Sequence, residues 1–256
     1  MDATSSTVSA TEPTAVPDGP SLSPFARIAA IFANPAGAWA GLQRRAGWWL
    51  PLVIMTLCGV VFTVTLHDRA IMPMISEQWE RMVDSGQITA EQLDKMEARM
   101  AGPAGLLMTA VQQVVAWPVI MLVLALLVTF GVGFVLGTKL KFRLGFEIVN
   151  WSSLVLLPSY VITWLLAWQK ETLKGIHLGL GALVPQADPP QRLQVALTSL
   201  LDAIGPFNLW FLAVAILGAA ALSGAPRKSV TGVMVGIYVA VAVLMAAMAA
   251  LFTPGS

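Results

Sequence analysis

The chain has 256 residues, 57% of them hydrophobic and 11% charged. Soluble domains carry about 25% charged residues, so this composition excludes an ordinary soluble fold and points to an integral membrane protein. A net charge of +1 gives no bulk attraction to nucleic acid, and one cysteine, Cys58, excludes an internal disulfide or a cysteine metal cluster.

Residues 1–22 are Ser, Thr, Pro, Ala and scattered acids, with no basic start followed by an apolar core. They read as a disordered tail rather than a signal peptide. The membrane domain is expected over 23–256. Ser23-Pro24 can cap and open a first short helix with Phe25, Ile28, Ala29 and Phe32 on one face. Asn34-Pro35 opens a second, with Trp39 and Leu42 as its apolar side. Both are too short to span. With Arg27, Arg44 and Arg45 at their edges, they are expected to lie in the headgroup layer, packing on the bundle being the alternative.

Trp48 and Trp49 form an interfacial anchor, and the first span is expected over 49–66. His67 to Gln112 is polar and densely charged, with room for two helices. The second opens at Thr89-Ala90-Glu91-Gln92, which has capping-box spacing. The second span (114–136) carries Pro118, Gly131, Gly133 and Gly137. A kink is expected at Pro118, and Gly133 and Gly137 have the spacing that lets two helices approach closely. The basic turn Lys139-Leu140-Lys141-Phe142-Arg143 leads to the third span (146–168), which holds Asn150 and a bend at Pro158. A loop follows, with a helix expected from Asp188-Pro189. The fourth span (207–222), the basic turn Arg227-Lys228 and the fifth span (230–252) complete the chain. Gly232 and Gly236 repeat the close-approach spacing. The fold expected is all-α: a polytopic membrane bundle of five transmembrane helices with interfacial amphipathic helices.

Orientation follows from the cations. Arg44, Arg45, Lys139, Lys141, Arg143, Arg227 and Lys228 crowd span ends and short turns, whereas the other loops dilute theirs with acids. The positive-inside rule places the N-terminus in the cytoplasm and the C-terminus outside. These seven cations are the candidate contacts for membrane lipids or for a membrane or cytoplasmic protein partner. Gly133, Gly137, Gly232, Gly236, Pro118 and Pro158 are the candidate helix-packing residues. The pattern sets no oligomeric state.

No catalytic, cofactor or metal residue is expected. His67 and His177 have no partner at metal spacing, and no span serine sits in a Gly-x-Ser-x-Gly setting. Glu147 comes nearest to an intramembrane charge and is expected to pair with Arg143, four residues earlier. Asn150 and Asn208 are expected to bond between helices.

Phe25-Ala-Arg-Ile-Ala-Ala-Ile-Phe-Ala-Asn-Pro35, Trp39 and Gly47-Trp48-Trp49-Leu50-Pro51-Leu52 resemble the start of bacterial Yip-one-domain proteins. Gly137 with its basic turn and Pro158 resembles that domain's middle, and Phe207-Asn208-Leu209-Trp210 its end. The resemblance covers about Phe25 to Phe252. It implies five spans and a cytoplasmic N-terminus; bacterial members share no agreed function, and a place in a bacterial inner membrane with a non-enzymatic role in membrane organisation is expected beside it. Eukaryotic relatives are known to interact with Rab-type GTPases. The chain lacks their Asp-Leu-Tyr-Gly-Pro motif, so no GTPase-binding residue carries over. A scaffold or adaptor is the expected function. The alternative is a small-solute transporter or permease working through Pro118 and Pro158.

Overall fold

The computed structural model describes residues 21–43, 47–185 and 191–253. Its regular structure is helical, with no strand among the described residues. Arg44 and Arg45, the tail up to Pro20, and the Asp188-Pro189 start expected for the loop helix lie outside the described residues.

Helix α1 (Pro24–Ala33) is capped by Ser23, whose hydroxyl accepts the Ala26 N–H at 3.3 Å. The second short segment is a single 3₁₀ turn, Gly37–Trp39, rather than a helix. Gly41, at φ +74°, turns the chain away shortly after it. The two segments sit at one end of the bundle, but the apolar side of the second faces protein and not the headgroup layer, and α1 buries Arg27 and Ile31 while Phe25 of its expected face stays 79% exposed. Ile31, Ala38, Trp39 and Leu42 are 0–2% exposed and belong to the main core. The reason is a matched cavity: Trp39 lies against Gly218, where any side chain would strike its ring.

Five helices are long and apolar enough to cross a membrane. The first begins as α2 (Trp49–Leu66) and passes through a π-helical turn, His67–Ile71, into α3 (Met72–Asp84). The continuous helix has 36 residues. At 1.5 Å per residue it is ~54 Å long, well beyond a ~30 Å hydrocarbon core. So the first of the two helices expected in the polar stretch after Leu66 is α3, and it is continuous with the span rather than separate from it. It returns through α4 (Ala90–Met100), whose capping box Thr89/Gln92 is formed from both sides. Helix α5 (Gly102–Val128) follows at once and continues as a π-helical stretch, Thr129–Val135. It runs through Pro118 without a break. The basic turn then leads to α6 (Phe142–Ser153), a 3₁₀ turn at Leu154–Leu156, and α7 (Leu157–Lys170) with Pro158 in its first turn. Helix α8 (Arg192–Asp202) precedes the last two spans, α9 (Pro206–Ser223) and α10 (Arg227–Leu251).

Long-range contacts define the two ends. At the basic end, Gly47 meets Glu147 and Arg143 meets Gln43. At the far end, Arg69 donates to the Trp168 carbonyl and pairs with Glu171, and Lys174 pairs with Glu77. Helix α6 is the centre: Leu144 to Ser153 is buried without interruption. It packs against α1, α2, α5 and α9.

The glycines that permit close packing are not those the spacing indicates. A Cβ at Gly137, Gly232 or Gly236 would meet nothing within 4 Å. Gly137 instead supplies a positive φ of 65° for the turn. Gly133 approaches the Leu140 carbonyl of its own basic turn, 3.2 Å from the ideal Cβ, and no neighbouring span. Close helix approach occurs at Gly131, against Val233 and Ile237 of α10, at Gly145, against Thr129 and the Ala125 carbonyl, and at Gly218. Spacing places glycines on one line of a helix, but the bundle decides which way that line faces.

Candidate functional site

The polar centre of the basic end is built around Glu147, 0% exposed on α6. One carboxylate oxygen accepts the Gly47 N–H at 2.7 Å, and the other accepts the Trp151 indole N–H at 3.0 Å. The expected pair with Arg143 is present, 3.6 Å away. Arg143 also donates to the Gln43 carbonyl at 2.8 Å, so it ties α6 to the segment before α2.

A second cation completes the centre. Arg27, on α1, is 4% exposed. Its guanidinium lies 5.4 Å from the centroid of the Trp151 ring. It donates to the carbonyls of Ala38 and Ala40, the latter at 3.0 Å, on either side of Trp39. Burial pushes the guanidinium below its ordinary value, and the Glu147 carboxylate pulls it back up. An arginine stays protonated in a protein, so Glu147 faces two cations. One amide N–H, one indole N–H and the Arg143 guanidinium thus hold a carboxylate that would otherwise be prohibitively costly to bury, and the Arg27 charge adds a longer-range attraction.

The sequence places Arg27 among the headgroup-layer cations, and the structure buries it. No local signal marks it as Glu147's partner, since the two are far apart in the chain. Asn150 bonds within its own helix, donating to the Phe146 carbonyl at 2.8 Å, and not between helices. Asn208 does link elements, donating to the Asp202 carbonyl at 3.0 Å at the end of α8. Near it His177 Nδ1 and Asp202 Oδ2 lie 2.6 Å apart, a pairing that sequence spacing does not reveal.

Lys139, Lys141, Arg227 and Lys228 are exposed at the basic end. Lys141 is the N-cap of α6 and Arg227 opens α10. Cations at helix N-termini oppose the helix dipole. Their presence there therefore does not serve helix stability. A cleft of about 370 Å³ opens at the Glu147 end of the bundle, lined by Ser21, Ser23, Arg27, Gly47, Trp49 and Trp151 among others.

The five apolar spans and the sealed polar centre define a multi-pass helical membrane protein. The chain matches the Yip1 domain over residues 29–250 and belongs to that family. No curated protein matches it, and no solved structure matches it.

Proposed function

We propose that the protein is a non-enzymatic scaffold or adaptor of a bacterial inner membrane, with its basic end in the cytoplasm and offered to an acidic protein partner. One observation carries the choice over a permease: Glu147 and Asn150, the polar groups at the heart of α6, are 0% exposed. No water-sized sphere reaches either, whereas a transport path requires a wet route to its polar groups. The exposed lysines and arginines of the two turns remain for an outside partner, against the grain of their helix dipoles.

The orientation rests on charge. Among the described residues, Arg27, Lys139, Lys141, Arg143, Arg227 and Lys228 share the basic end with one buried acid, Glu147, whereas the far end mixes acids and bases along α3 and α4. With Cys58 replaced by serine, cysteines at Thr138 and Ser229 should resist an impermeant reagent added to intact cells. Cysteines at Ser85 and Gln191 should react. The reverse pattern would invert the protein.

The adaptor role is tested with Lys139→Gln, Lys141→Gln and Lys228→Gln combined. This leaves Arg143 in its structural bonds and Arg227 to hold topology. Insertion should persist, with stability within about 0.5 kcal/mol per site, as for other surface changes. Mass spectrometry of co-purifying proteins should show the loss of a defined partner. An unchanged set would remove the adaptor reading.

A further inference from the structure

The cleft at the basic end has the chemistry of an anion site. Two helices begin at its rim, α1 at Pro24 and α2 at Trp49. The N–H groups of a first turn lack acceptors in their own helix and carry the positive end of its dipole. Ser23 caps α1, but Trp48, at the N-cap of α2, makes no side-chain capping bond, and no other side chain caps α2 among the described residues. Arg27 lies deep in the cleft. The Ala38 and Ala40 carbonyls hold its side chain in place, and the rest of its N–H fork has no acceptor among the described residues. Glu147 sits behind, occupied by Gly47 and Trp151. Two guanidinium groups against one carboxylate leave a positive balance.

The path out of the cleft identifies the source of the anion. Trp49, Val53, Leu57 and Val61 are 55%, 44%, 58% and 59% exposed. They are four residues apart and so form one line down α2, ~18 Å long at the helical rise. Val61 borders an apolar groove of about 310 Å³ lined also by Cys58, Phe62, Tyr160 and Trp164. A cleft suited to a phosphodiester thus continues into an apolar track along the axis of α2. A free phosphate would fill the first part and have no use for the second. The geometry points to a site for one anionic phospholipid, its phosphate held by Arg27 and the start of α2 and its acyl chain laid along Trp49 to Val61. This site is independent of the adaptor reading, because the lysines tested there do not line the cleft.

The test is native mass spectrometry of the full chain released from detergent with phosphatidylglycerol or phosphatidylcholine. The parent should retain one phosphatidylglycerol, with a preference of about tenfold over phosphatidylcholine, in line with the attraction of a few cations near an anionic group. Arg27→Lys keeps the charge but loses the fork, and Ser21→Trp obstructs the cleft without removing a bond in the bundle. Both should lose the preference. The triple Lys→Gln variant should keep it, even if its protein partner is lost. The site is overturned if both cleft variants retain the lipid as the parent does. It is also overturned if the triple variant loses it equally, which would show general surface attraction. Complete displacement by excess inorganic phosphate would mean a free-anion site and would likewise overturn the lipid assignment.

Discussion

Glu147→Leu should destabilise the bundle by about 3–5 kcal/mol, the usual cost of removing one partner from a buried charge network. The substitution leaves the Gly47 N–H and the Trp151 indole N–H without acceptors and leaves the Arg27 guanidinium buried without a counter-charge. Glu147→Gln keeps one carbonyl acceptor and should lose less. Arg27→Leu combined with Glu147→Leu should recover part of the loss, because the unpaired buried charge disappears along with its partner. Thermal unfolding in detergent, run as a double-mutant cycle, measures the coupling. Additive single changes would mean that the two residues do not stabilise each other. A Glu147→Leu protein melting with the parent would mean that the carboxylate does not hold the basic end together.

What could be read from the sequence was local. The five spans follow from apolar runs of membrane-crossing length, and the Ser23 cap, the Thr89/Gln92 capping box and the Arg143–Glu147 pair each involve residues within four positions of one another. What could not be read depends on how helices are turned toward one another. The Arg27 charge comes within reach of Glu147 only because α1 packs against α6. Gly133 and Gly131 are two residues apart on one span, yet it is Gly131 that faces α10, because the rotation of the span is set by all its neighbours. The length of the first helix was hidden for another reason. Hydropathy ends near Leu66, but helix formation does not depend on hydropathy. A π-helical turn carries the chain into α3 without a break.

The contrast between Gly218 and Gly232 tests that packing directly. A Cβ on Gly218 would lie 2.6–2.7 Å from three carbons of the Trp39 ring. The ring is 1% exposed and packed in the same core as Ile31 and Leu42, so it has nowhere to go. Gly218→Ala should therefore cost about 1–3 kcal/mol, the range for overpacking a filled core. Gly232→Ala faces open space on α10 and should be neutral or stabilising by up to about 1 kcal/mol, since alanine is the better helix former. Unfolding in detergent should separate the two variants clearly. If they melt together, Trp39 is not seated against α9. The same pair reports on the basic end. The carbonyls on either side of Trp39 are the acceptors that hold Arg27, so dislodging the ring dislodges the guanidinium. Gly218→Ala should thus weaken phosphatidylglycerol retention although it touches no lipid, and Gly232→Ala, closer to the basic turn of α10, should leave it unchanged.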